Sequence, residues 1–250
     1  MSKRHEKLGI KQTIQLHWMD HSVQLLLSGM PEQKIRRELD DFLSTQKQSG
    51  GAGERGQKTY GMAISILAAW FAPDDDLRSF RDEALDMAQQ SPVRQWLPLH
   101  WAVLSASYPF WFNVAMQTGR LFNLQSQITQ AQIFGRLREK YGDREAVSRN
   151  ARYAVRSFVA WGALQDTKAK GCYEKGVTTK IDNEQIAILM LEAALLAMPD
   201  ARGGLGLLSN NPAFFPFHLP VMTGDFVSQH SKRIDVVRYD LDNDLLKLKG

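Results

Sequence analysis

TQAQIFGRLREKYGDREAVSRNARYAVRSFVAWGALQDTKAKGCYEKGVTTKI, residues 129–181, is the stretch whose reading decides the fold. Ile133, Leu137 and Tyr141 recur at helical spacing, and Gly142-Asp143 ends the run. Glycine tolerates the left-handed backbone that closes a helix, and aspartate suits the cap and positive end of the next one. That next helix reads from about Glu145 to Gly162. On a helical wheel Val147, Ala151, Ala154 and Phe158 gather on one side, an apolar stripe that has to be buried. Arg149, Arg152 and Arg156 fall within about 60° of one another on the opposite side, with Tyr153 among them. From Thr167 to Ile181, Lys168, Lys170, Lys175 and Lys180 surround Gly171 and Gly176, which suits a two-stranded hairpin. This order predicts a winged helix-turn-helix, in which a recognition helix enters a groove and a basic wing rides on the backbone.

Charge is concentrated in the same window. From Arg136 to Lys180 eleven lysines and arginines face five acids (Glu139, Asp143, Glu145, Asp166 and Glu174), so the window carries +6 while the whole chain carries +4. A local basic face on a near-neutral body is what a phosphate-contacting surface requires. Exposed arginines on a helix are also commonly no more than a solvated face. The phosphate reading places Arg144, Arg149, Arg152, Tyr153 and Arg156 at the groove or its phosphates, and Lys168, Lys170 and Lys175 on the flanking backbone of double-stranded DNA. If about five phosphates are neutralised, log K falls against log salt with a slope of roughly −4 to −5.

Length and composition bound the remaining possibilities. A chain of 250 residues, 44% hydrophobic and 23% charged, is ordinary for one large or two small globular domains. The single cysteine, Cys172, excludes an intramolecular disulfide and fits a reducing compartment, so a cytoplasmic location is expected. The polar start and the lack of a following apolar run argue against a signal peptide. Gln95 to Gly119 is free of Asp, Glu, Lys and Arg and is long enough to cross a bilayer. Its polar residues, and the division by Pro98 and Pro109 into two helix-length pieces, favour a soluble core instead. Trp96, Trp101, Phe110, Trp111 and Phe112 then form an aromatic centre, and no membrane partner is expected.

Outside this region the chain reads as mostly α. Thr13–Leu27 is a helix ended by Ser28-Gly29, and Pro31 opens another with Ile35, Leu39, Phe42 and Leu43 on one face. A glycine-rich loop over 49–57 precedes a buried helix at Thr59–Phe71. Pro73 and Asp74, Asp75 and Asp76 start a further helix that ends near Gln90, the aspartates serving its positive end. Asn183–Met198 is one more apolar helix. Residues 200–220 are irregular, with Phe214-Phe215-Pro216-Phe217 plugging a groove, and Ile234–Leu248 suits a short hairpin turning at Asp242-Asn243-Asp244. The division that follows is an N-terminal helical subdomain at 1–90, a helical core with the winged helix-turn-helix at 91–198, and an irregular and β C-terminal tail packed on the core at 199–250.

Catalytic patterns fail on spacing. The 51–59 loop has Gln57 between Gly56 and Lys58 and a helix before it, where a phosphate-binding loop needs lysine next to the glycine and a strand before it. His17 and His21 share a helix face with Asp20 beside them, yet two histidines fall short of a metal site and read as a surface or partner-facing pair. Cys172 has no histidine near it in sequence, and no nucleophile elbow, dinucleotide fingerprint or carboxylate cluster occurs. A non-enzymatic protein without cofactor or metal is the expectation.

The passages SYPFWFNVA (107–115) and REAVSRNARYAVRSFVAWGAL (144–164), with the order of the helices around them, resemble the BrxA-type accessory proteins of bacterial BREX phage-exclusion systems. That resemblance, over roughly 99–164, implies a mostly helical, non-catalytic protein that binds DNA within a multiprotein defence assembly beside a methyltransferase and an ATPase. The segment after Asn183 has no counterpart in it, and no individual site residue transfers. The competing reading is a scaffold whose winged helix docks another subunit, with Phe214–Phe217 as an exposed anchor. Arginines packed against acids of the same chain, such as Asp74–Asp76, favour the scaffold; an open basic groove favours DNA.

Overall fold

Proline and glycine punctuate the first half of the chain much as its periodicity requires. The computed structural model describes residues 3–46, 56–240 and 243–249. Helix α1 (Leu16–Leu27) stops at Ser28, and α2 (Glu32–Ser44) starts after Pro31 and buries Ile35, Leu39 and Leu43. Most of the glycine loop, with residues 51–55 of the phosphate-loop candidate, lies outside the described residues. Beyond it come α3 (Gln57–Phe71) and α4 (Arg78–Gln89). Asp74–Asp76 do not cap α4 as expected. Asp75–Leu77 form a 3-10 turn without a side-chain cap; Asp75 pairs with Arg78 at 2.8 Å and Asp76 with Arg4, so guanidinium groups take the carboxylates that amides were expected to hold.

Pro98 and Pro109 stand in the first turns of α5 (Leu97–Ser107) and α6 (Pro109–Phe122), where a missing amide hydrogen costs nothing. The five aromatic residues predicted for the centre are all buried. Among the described residues no helix is long and apolar enough to cross a membrane. The chain continues through β1 (Gln127–Thr129), α7 (Gln130–Tyr141), α8 (Glu145–Ala160), β2 (Leu164–Asp166), β3 (Cys172–Lys175), β4 (Thr179–Lys180) and α9 (Glu184–Ala197). Asn183 caps α9, accepting from the amides of Gln185 and Ile186. From Ile186 onward every residue of α9 is buried, as is α5 from Pro98 to Ala106, so these helices are buried all round and pack against each other at the centre.

A buried polar chain locks three helices to this centre. His100 on α5 is fully buried; its Nδ1 accepts from Trp70 Nε1 on α3 at 3.0 Å, so the proton sits on Nε2, which donates to Asp20 on α1 at 3.0 Å. Burial holds His100 below the ordinary histidine value, although Asp20 draws it upward.

The C-terminal part adds β5 (Arg202–Gly204), α10 (Leu205–Ser209), β6 (Phe217–His218), α11 (Gly224–His230), β7 (Ile234–Asp240) and β8 (Asn243–Leu248). The expected hairpin forms as an antiparallel β7–β8 pair, with β5 on the other side of β8. Asp242, in the predicted turn, lies outside the described residues. Phe214, Phe215 and Phe217 do plug a groove: Trp101 meets Phe215 at 5.7 Å and Phe217 at 5.4 Å, and its Nε1 donates to the Ala213 carbonyl. They are at most 7% exposed, which corrects their reading as an outward anchor. Gly119 permits this fit, because a Cβ there would collide with the Pro212 carbonyl oxygen. One apolar core runs from Ile10 to Leu246.

Candidate nucleic-acid interface

Strand β3 is the centre of a small sheet of order β1-β3-β2, antiparallel throughout, with Ile128 and Asp166 both opposite Tyr173. Thr129 ends β1 and caps α7 in a reciprocal box with Gln132, and the Gln130 amide donates to the Gly171 carbonyl at 2.8 Å. The hairpin tip therefore rests on the start of α7. Gly142 separates α7 from α8 at φ +82°, as its position between two helices predicts. Asp143 does not cap α8: Arg144 holds that position without a side-chain cap, and Asp143 pairs with Arg138 at 3.3 Å.

The predicted hairpin is also displaced. Its strands are residues 164–166 and 172–175, and not the 167–181 stretch. Burial selects this register, because it turns Leu164 and Tyr173 inward. Thr179-Lys180 leaves to pair in parallel with Phe217-His218, and Lys180 is neutralised by Asp182 at 2.8 Å.

Helix α8 buries the stripe expected of it. Phe158 stacks on Trp101 at 4.9 Å and meets Trp111 edge-on at 4.7 Å. One side is fixed by the N-terminal segment, where the Ile14 amide donates to Ser157 Oγ and its carbonyl accepts from Trp161 Nε1, both at 2.9 Å. The opposite stripe faces outward, and its members have different partners. Arg149 pairs with Glu145 at 3.0 Å one turn earlier. Arg156 grips both oxygens of Asp166 on β2, at 2.6 and 2.8 Å, and the hydrogen bond to Asp166, with Tyr173 beside it, raises its pKa. It ties the hairpin to α8 and is not presented to solvent as a free cation.

Arg152 is exposed and makes no ion pair among the described residues; burial raises the pKa of the Tyr173 hydroxyl, and Arg152 opposes that rise only weakly. Arg144 is exposed and donates only to the Tyr141 carbonyl at 3.1 Å. Lys168 and Lys170 are exposed on the hairpin tip, without ion pairs among the described residues. Tyr153 is half-buried. Lys175 stands at the hairpin base, its ammonium 5.9 Å from the Phe122 ring centre. Arg144, Arg152, Lys168, Lys170 and Lys175 thus remain without a carboxylate partner among the described residues, from the start of α8 to the hairpin beside its other end. None of the stripe pairs with Asp74–Asp76, whose partners are Arg4 and Arg78.

Sequence reasoning passed over one basic residue on the inner side of α7. Lys140 is seven residues after Ile133 and three after Leu137, on the apolar face, and its ammonium donates to the buried Asn113 on α6 at 2.6 Å. That spacing is the signal that could have found it. His17 and His21 pack about Phe42, with ring centres at 6.3 and 4.6 Å, and Asp20 serves His100 instead of them. Among the described residues no three metal-ligating side chains converge. Away from this face, exposed Leu207 and Val221 border a groove of about 910 Å³ beside α10 and β8. Comparison with family models, curated proteins and solved structures returns no match for the chain.

Proposed function

We propose that the protein is a non-enzymatic DNA-binding subunit that contacts duplex phosphates through α8 and the β2–β3 hairpin. The observation that carries this reading is the set of five exposed cations, Arg144, Arg152, Lys168, Lys170 and Lys175, that no carboxylate of the described residues neutralises. They sit on a unit of order α6-β1-α7-α8-β2-β3 with sheet order β1-β3-β2, an order that supports the winged-helix reading. Placement in a bacterial anti-phage assembly with other protein subunits rests on the BREX-type resemblance.

The test is a mobility shift with duplex DNA across a salt series. Five phosphate contacts contribute about −4.5 to the slope of log K against log salt. The Arg152/Lys168/Lys170→Ala variant removes three of them and makes the slope shallower by about 2.7. Binding that persists unchanged into high salt, or a triple variant that binds like wild type, overturns the proposal. A protein-docking role for the same unit is the second reading, favoured by the ion pairs that occupy Arg149 and Arg156 within the chain. On that reading duplex DNA produces no salt-dependent shift.

A further inference from the structure

We infer that Asp166 is an autoinhibitory brake on DNA binding: its carboxylate occupies Arg156 where a backbone phosphate would otherwise bind. The inference rests on the nucleic-acid reading above and names a control on the same face.

The brake follows from the register of the hairpin. Side chains alternate along a strand, so Asp166 shares a face with Leu164, which is buried, and stands opposite buried Tyr173. Strand β2 lies at the edge of its sheet, beside α8. The carboxylate is thereby turned to the outward stripe of α8, where Arg156 meets it at 2.6 and 2.8 Å. Both bonds leave from Nη1. Parallel bonds from two nitrogens are the stronger match of arginine to carboxylate, and this pair does not make it.

Such a pair does little for the fold. Its partners are 43% and 48% exposed, a setting in which ion pairs contribute little stability. The hairpin also has other fastenings. The Gln130 amide donates to the Gly171 carbonyl at 2.8 Å and the Gly176 amide to the Ala163 carbonyl at 2.9 Å, while Leu164 and Tyr173 are buried. For binding, the place of the pair matters more. Arg156 is one turn after the uncompensated Arg152, and Asp166 is two residues before the uncompensated Lys168, so an acid stands where two stretches of free cations join. A carboxylate there repels phosphate and already supplies the counter-charge of one arginine. Arginine's planar fork suits phosphate as it suits carboxylate, so freeing Arg156 adds a phosphate contact.

The experiment is the salt series on a random-sequence duplex with Asp166→Asn, alone and in an Arg156→Gln background. Asparagine keeps the size of the side chain and an acceptor oxygen, so the register of the hairpin is retained. Asp166→Asn is expected to steepen the slope by about 0.9, so that between about 50 and 200 mM salt it loses about 3.5-fold more affinity than wild type. In the Arg156→Gln background the same substitution is expected to leave the slope unchanged, because no arginine is released. A wild-type slope for Asp166→Asn overturns the brake. So does a shallower one, which would show that Asp166 positions the hairpin for contact. Equal steepening in both backgrounds assigns the effect to the field of the carboxylate and overturns the release of Arg156. Each of these results leaves the proposed function standing, whereas wild-type binding without salt dependence overturns both.

Discussion

Arg149 and Arg152 stand one turn apart on α8 and differ in what meets their guanidinium groups. Glu145 sits one turn before Arg149 and pairs with it at 3.0 Å, whereas no carboxylate pairs with Arg152 among the described residues. Both members of the Arg149 pair are more than half exposed, so the bond is worth little to stability, yet it supplies the counter-charge a phosphate would otherwise bring. Arg152→Ala should therefore make the salt slope of duplex binding shallower by about 0.9, and Arg149→Ala should change it by much less. Measuring both single variants over one salt series checks this. Equal losses would show that Glu145 gives way to phosphate. His100 makes a second prediction at this scale. Its folded pKa is below the unfolded value near 6.5, so its contribution is fully present above that pH and lost as pH falls below it, where only the unfolded chain takes the proton. The slope is at most about 1.4 kcal/mol per pH unit. Urea unfolding at several pH values should show this component in wild type and not in His100→Gln. Nothing in the sequence announces the His100–Asp20 bond, because its partners are eighty residues apart.

Among elements, the helices and the C-terminal hairpin were legible, and the pairings of the small β1-β3-β2 sheet were not. Apolar periodicity marks α2, α8 and α9 directly, since each must bury the face that the spacing defines. The hairpin was displaced because lysine and glycine composition signals a turn without fixing which residues pair. Burial of Leu164 and Tyr173 decides that, together with β1, a strand more than forty residues before β3. Of the candidate site, the arginine stripe and hairpin lysines were legible, whereas the pairing of Arg156 with Asp166 depended on that register. Breaking this pair should cost the fold less than about 1 kcal/mol, because both partners are more than 40% exposed. Its effect should be local: Arg156→Met is expected to speed amide hydrogen exchange at 167–171 with almost no change in the urea midpoint. A large fall in the midpoint with unchanged exchange would show that Arg156 supports the core instead. Gly119→Ala should do the reverse. A Cβ against the Pro212 carbonyl forces α6 and the 212–215 turn apart, at a cost of about 1–3 kcal/mol in urea unfolding.

At the scale of the molecule, the basic unit and the clamp that holds the C-terminal hairpin are separate devices. The 136–180 window carries +6 and the rest of the chain −2, so positive charge is gathered on one part of the body. Arg233, just before β7, lies outside that window and is bound on two sides. It meets Glu192 on α9 at 2.5 Å and Glu83 on α4 at 2.5 Å, joining the C-terminal hairpin to a central helix and to the N-terminal half. Glu192 is buried, and burial raises its pKa although Arg233 draws it back down. Removing the guanidinium leaves a carboxylate in the core without its partner, a change that costs about 3 kcal/mol or more. Arg233→Met should lower unfolding stability by about that amount, and Arg233→Met/Glu192→Leu should recover much of it, because the buried charge goes with its partner. Where the variants remain folded, their salt slope on duplex DNA should equal that of wild type, since no cation of the proposed contact is touched. A shallower slope for the double variant would place the C-terminal hairpin within the DNA contact and require a footprint wider than α8 and the β2–β3 hairpin.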